Sequence, residues 1–86
     1  MLWVDAKRID PDSGLPPYRQ VANDMKTRID AGALSGRLPT ETELAADYGV
    51  AHGTLRKALA LLREWGYIET SPGWGSRVRA PGERGG

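Results

Sequence analysis

The stretch Thr40-Glu41-Thr42-Glu43-Leu44-Ala45-Ala46-Asp47-Tyr48-Gly49-Val50-Ala51-His52-Gly53-Thr54-Leu55-Arg56-Lys57-Ala58-Leu59-Ala60-Leu61-Leu62-Arg63-Glu64-Trp65 decides the fold. Thr40 followed three positions later by Glu43 is the pattern of a capping box, which starts a helix at Glu41. Leu44, Ala45 and Tyr48 recur at helical spacing, and Gly49 supplies the left-handed residue that ends the helix. A second helical pattern begins after Val50-Ala51-His52. It has Leu55, Ala58, Leu59, Leu62 and Trp65 on one face and Gly53, Arg56, Lys57, Ala60 and Arg63 on the other. A short helix, a glycine-containing turn and a longer helix with a basic outer face make a helix-turn-helix. A helix that enters a DNA groove needs small residues near its start and long donors for guanine or phosphate. Gly53 and Thr54 are small, while His52, Arg56 and Lys57 are the donors. The competing account is a three-helix bundle whose solvated face happens to carry charge.

Upstream, Pro16-Pro17 open another helix, because proline is tolerated in a first turn. Tyr18, Val21, Ala22, Met25 and Ile29 mark its apolar face as far as Ala31, and Gly32 ends it. The opposite face, Arg19, Asn23, Lys26 and Asp30, is mixed in sign, which fits a core-packing scaffold better than a membrane-surface helix. Residues 32–39 read as a loop in which Leu34 and Leu38 plug the core. Arg37 stands just ahead of the capping box, placed to add charge if the next helix start points at phosphate. Residues 1–15 form an arm or a short edge strand ending in the turn chemistry of Asp10-Pro11-Asp12-Ser13-Gly14. Leu2, Trp3 and Val4 in that arm are candidate dimer contacts, with Trp3 folding back on its own domain as the alternative.

Downstream, Gly66 closes the long helix, residues 67–70 and 76–79 read as strands, and Ser71-Pro72-Gly73-Trp74-Gly75 reads as the turn between them. A β-hairpin directly after a helix-turn-helix is the order of a winged helix. The expected fold class is mainly α with a small β-hairpin, a winged helix-turn-helix of three helices plus a wing over residues 16–79. Residues 80–86 have nothing to pack with and are expected to be disordered.

Composition excludes more than it assigns. Eighty-six residues make one small domain, and the mean hydropathy of -0.49 is that of an ordinary water-exposed chain. Without cysteine there are no disulfide staples and no thiolate metal site, which suits a cytoplasmic protein. No apolar run approaches a membrane span, and the first residues lack the order of a signal peptide. The net charge of +1 hides an asymmetry: residues 1–50 carry six Lys/Arg against eight Asp/Glu, and residues 51–86 carry six against three. The basic excess begins where the second helix of the pair begins. One histidine, no cysteine and no glycine-rich phosphate loop leave little from which to build a catalytic site, so neither an enzyme nor a cofactor is expected. Glu41, Glu43 and Asp47 could join His52 around a metal, but caps and a solvated face explain them better.

With the wing in place the sequence resembles the N-terminal DNA-binding domain of the GntR family of bacterial transcription regulators, from about Pro17 to Val78. The proline and aromatic that open the family's first helix are matched by Pro17, Tyr18 and Gln20-Val21-Ala22. Leu-Pro-Ser-Glu-x-Glu-Leu-Ala is matched by residues 38–45, Gly-Val-Ser-Arg-x-Thr-Val-Arg-x-Ala-Leu by residues 49–59, and Gly-x-Gly-Thr-x-Val by residues 73–78. The resemblance implies a DNA contact for Arg37, backbone and base contacts for Thr54 and Arg56, and a minor-groove wing tip at Gly73 and Gly75. Thr40, within the block of residues 38–45, is a further candidate DNA contact. There are departures. Ala51 replaces a serine that would cap the recognition helix, a loss worth about 1 kcal/mol. His52 replaces a base-contacting arginine; it donates fewer bonds and is charged only in mild acid, which implies a different operator or tighter binding at lower pH. Trp74 replaces a basic wing residue and is expected to lie in the minor groove or to pack back on the wing. The loop of residues 32–38 is shorter than the family's usual one.

The functional expectation is a sequence-specific transcriptional regulator, a repressor that occupies a promoter. Its partner is double-stranded DNA, bound as a homodimer on a two-fold operator. No small-molecule effector is evident: family members carry a ligand-binding and dimerising domain after the wing, and this sequence reads either as a free-standing regulator or as part of a longer one. The alternatives are a winged helix used as a protein-interaction module, and a DNA-architectural protein of plasmid or phage type.

Overall fold

Residues 9, 10 and 12–79 are described by the computed structural model. Five elements follow in order: α1 (Pro17–Asp30), α2 (Glu41–Tyr48), α3 (His52–Glu64), β1 (Ile68–Ser71) and β2 (Gly75–Val78). This is the winged helix that the sequence pattern predicts.

Each helix end has a local cause. Pro16 and Pro17 set the entry to α1 without a side-chain cap. The capping box of α2 is complete: Glu43 N–H donates to the Thr40 hydroxyl at 3.1 Å, and Thr40 N–H donates to the Glu43 carboxylate at 3.0 Å. α3 starts on Ala51, which offers no side-chain acceptor, so the missing cap is a fact of the structure. All three helices exit through a glycine. At α3 the N–H of Gly66 reaches Arg63 O and that of Tyr67 reaches Leu62 O, the paired bonds of a Schellman ending.

α1 and α3 pack against each other as the body of the domain, with α2 laid on α3. The core takes Val21, Ala22, Met25 and Ile29 from α1, Leu44, Ala45 and Tyr48 from α2, and Leu55, Ala58, Leu59 and Leu62 from α3. Leu34 and Leu38 seal it from the α1–α2 connection, as their spacing predicts, while Tyr18 and Trp65 are only half-buried. Burying one such aliphatic side chain is worth about 1.5–3 kcal/mol, so the periodic apolar faces dominate the fold.

Several expectations need correction. Residues 36–38 are not plain loop. Leu38 N–H donates to Ser76 O and Val78 N–H to Gly36 O, and Arg37 bridges to Arg77, so this segment lies along β2 as a third, abbreviated strand. The wing strands both lie one residue nearer the tip than 67–70 and 76–79, because the Tyr67 N–H is committed to the end of α3. The described part of residues 1–15 forms no strand. Asp10 nucleates the turn that its sequence predicts, accepting from Asp12 N–H at 2.9 Å through its side chain and from Ser13 N–H through its carbonyl. Gln20 ties that turn to α1 by accepting from Asp10 N–H and donating to the carbonyls of Asp10 and Leu15. Leu2, Trp3 and Val4, and the tail of residues 80–86, lie outside the described residues.

The wing is held at one end. Its strands pair antiparallel with Ile68 opposite Val78, and these two are its buried residues; the turn at Pro72, Gly73 and Trp74 is exposed. Trp74 N–H closes that turn on Ser71 O, and Gly73 at φ +75° takes a left-handed position that glycine adopts without steric cost.

Candidate nucleic-acid interface

Two helices meeting through Gly49 bring the start of α3 beside the start of α2. Gly49 lies at φ +69°, and the N–H groups of Gly49 and Val50 return to Ala46 and Ala45, which turns the chain sharply into α3. At this corner His52 Nε2 lies 3.3 Å from the Thr42 hydroxyl. Arg56 Nε donates to Glu41 Oε1 at 3.1 Å, and both side chains stay well exposed, at 66% and 46%. Such a surface pair contributes about 0–1 kcal/mol, so it orients the arginine more than it stabilises the domain. Gly53 lies between them on the helix, and a Cβ built there meets open space.

The other expected residues fall into two further groups. Arg37, Trp74 and Gly75 meet where the wing joins the start of α2. The Arg37 guanidinium sits 5.4 Å from the centre of the Trp74 ring and borders Gly75, while Trp74 remains half exposed. Thr40 lines a cleft of about 150 Å³ with Arg37 and Gly75, but its hydroxyl is engaged in the capping box. Toward α1, the Lys57 ammonium stands 5.7 Å from the centre of the Tyr18 ring, and Thr54 is half-buried. The structure thus brings His52, Gly53 and Arg56 together, gathers Arg37, Trp74 and Gly75 at the wing, and sets Lys57 and Thr54 on the opposite flank.

Several partners of these residues carry no signal of their own in the sequence. Glu41 and Thr42 looked like helix-start residues, and the turn that folds them onto α3 is what makes them neighbours of Arg56 and His52. Arg63 of α3 donates to Thr70 at 3.1 Å and Arg77 to Glu69 at 2.6 Å, so part of the basic excess is spent on bonds to the wing. A polar cluster also braces α1 against α2. Tyr48 donates to Asp24 at 2.6 Å, Arg28 donates to the Tyr48 hydroxyl at 2.9 Å, and Arg28 lies 3.5 Å from Asp47. Burial and the bond to Asp24 push the Tyr48 phenol well above its ordinary value, outweighing Arg28, which pulls the other way. Partial burial alone would lower Arg28; its bond to Tyr48 and the charges of Tyr48, Asp47 and Asp24 overcome this and raise it.

A helix-turn-helix with an appended wing, an exposed recognition-type helix and an aromatic–cation pair at the wing base defines the class of winged-helix regulators. The particular family follows from comparison with known proteins. The chain belongs to the family described as "Bacterial regulatory proteins, gntR family", which it matches over residues 5–78. It is 44% identical over 68 residues to the transcriptional regulator SmoD of Agrobacterium fabrum, covering 77% of this chain and 29% of that protein. It is 35% identical over 75 residues to the transcriptional repressor NagR of Bacillus subtilis, covering 85% of this chain and 31% of that protein. The chain therefore spans under a third of the length of these curated relatives. Among solved structures it is similar to YtrA of Sulfolobus acidocaldarius, a GntR-family transcription factor, with a TM-score of 0.78, 31% identity and coverage of 88% and 82% of the two chains. It is also similar to the AraR DNA-binding domain solved in complex with operator ORX1, with a TM-score of 0.73, 34% identity and coverage of 81% and 89%. Among the described residues no helix is long and apolar enough to cross a membrane.

Proposed function

We propose that this chain binds double-stranded operator DNA and represses transcription by occupying a promoter. In this reading α3 enters the major groove, with His52, Gly53 and Arg56 at base edges. Thr54, Lys57 and Arg37 meet backbone phosphates, and Gly73, Trp74 and Gly75 enter the adjacent minor groove. Two copies bind a two-fold operator in the cytoplasm. No effector is assigned to the chain.

The observation that carries the reading is the exposed corner at the start of α3. Gly53 lets the backbone approach closely, Arg56 and His52 flank it with donors, and Ala51 leaves the first N–H groups without a side-chain cap and open to an external acceptor. The similar AraR DNA-binding domain is solved in complex with an operator, which supports DNA as the partner.

The test is selection from a random pool of short duplexes, followed by titration of the retained sequence at several salt concentrations. A palindromic site bound by two chains is expected, with affinity falling as salt rises and each phosphate contact adding about 0.9 to the log–log slope. Folded protein that enriches no sequence at low salt would refute the reading and favour a protein partner at the wing.

A further inference from the structure

We infer that Glu41 is a positioning residue that sets base selectivity through Arg56. The inference rests on the DNA-binding reading above. The arginine's bond to Glu41 is made by Nε, the side of the guanidinium. Among the described residues no hydrogen bond occupies Nη1 or Nη2. A carboxylate that competed with DNA would engage the terminal nitrogens and block them. Held by its side, the planar group keeps both terminal donors, the parallel pair that matches guanine O6 and N7.

Glu41 can hold that position because its backbone is fixed. It is the first residue of α2, directly after the capping threonine, and the turn at Gly49 brings α3 alongside. An arginine on an exposed helix face otherwise samples many rotamers and must lose them on binding. The carboxylate removes part of that loss before DNA arrives, and it does so for one orientation only. As a first-turn carboxylate, Glu41 also complements the α2 dipole. That role alone would give no dependence on which base is bound.

Measurement begins with the duplex that the wild-type chain selects. The base position read by Arg56 is the one whose preference disappears in Arg56→Ala. Dissociation constants are then compared for guanine and for each other base at that position. Glu41→Ala is expected to cut the preference for guanine roughly five- to tenfold, a fraction of what a full bidentate contact supplies, with the melting temperature nearly unchanged. Glu41→Gln, whose amide oxygen can still accept from Nε, should keep most of the preference. In an Arg56→Ala background, Glu41→Ala should change nothing at that position. Three results overturn the inference: a preference unchanged in Glu41→Ala, an affinity gain shared equally by all duplexes (a carboxylate that merely repels phosphate), or no position that depends on Arg56. If the wild-type chain selects no sequence, the DNA-binding reading fails before any variant is made, and the inference falls with it.

Discussion

Replacing Tyr48 with phenylalanine removes one oxygen from the seam between α1 and α2 and leaves the ring in place. The ring is 2% exposed, so its packing is untouched. The lost hydroxyl donates to Asp24 and accepts from Arg28, both charged partners, and hydrogen bonds to charged groups are worth about 1.5–3 kcal/mol each. Part of that returns, because Arg28 is 25% exposed and keeps Asp47, and Asp24 is only half-buried. A net loss of about 2 kcal/mol follows, which for a domain of this size lowers Tm by about 8–16 °C. The effect also carries a pH signature. The Tyr48 phenol lies above its value in the unfolded chain, about 10 for a free tyrosine. Above that pH the unfolded state gives up the proton while the folded state keeps it, so the folded state loses stability as pH rises. The stabilisation is therefore complete below about pH 10 and declines above it. Denaturant titrations of wild type and Tyr48→Phe from pH 7 to 11 isolate this group, since contributions common to both chains cancel in the difference. The gap should be constant to about pH 9.5 and then narrow. A gap below about 0.5 kcal/mol at pH 7, or one that stays level to pH 11, would show that the cluster does not brace the helices.

Two further substitutions separate stability from recognition. Gly53→Ala places a methyl group in open space on a helix and should raise stability by about 0.5–1 kcal/mol; in the proposed docking the methyl would face base edges and should weaken binding to the selected duplex, and paired melting and binding curves would expose any coupling of the two. Ala51→Ser restores a hydroxyl where α3 has none and should stabilise the domain by about 1 kcal/mol, read as a rise in Tm of about 4–8 °C.

The helices were legible because their signals are local. Pro17 at a start, Thr40 with Glu43 at another, and glycine after each last turn fix the ends within a few residues of chain. The apolar period then dictates which side is buried. What escaped depends on neighbours distant in sequence. Residues 36–38 carry no alternation that marks a strand; they become one only because β2 comes alongside. Tyr67 looks like the start of a strand, but the competing demand of the α3 ending takes its N–H. At the site, residue types announced donors at Arg56 and His52, while their partners Glu41 and Thr42 were hidden by the turn that brings them near. Arg28 and Asp24 fall on the side of α1 that sequence reasoning left unassigned, and only the packing angle with α2 brings Tyr48 between them.

The bonds from Leu38 to Ser76 and from Val78 to Gly36 also make the wing and the start of α2 a single mechanical part. Leu38 is sunk in the core, Pro39 and Thr40 follow at once, and Glu41 beside Arg56 comes next. A wing levered outward must either break those two bonds, at about 1 kcal/mol each, or drag the pivot that aims the arginine. The hairpin and the start of α3 are thus geared together, so a displacement of one is transmitted to the other.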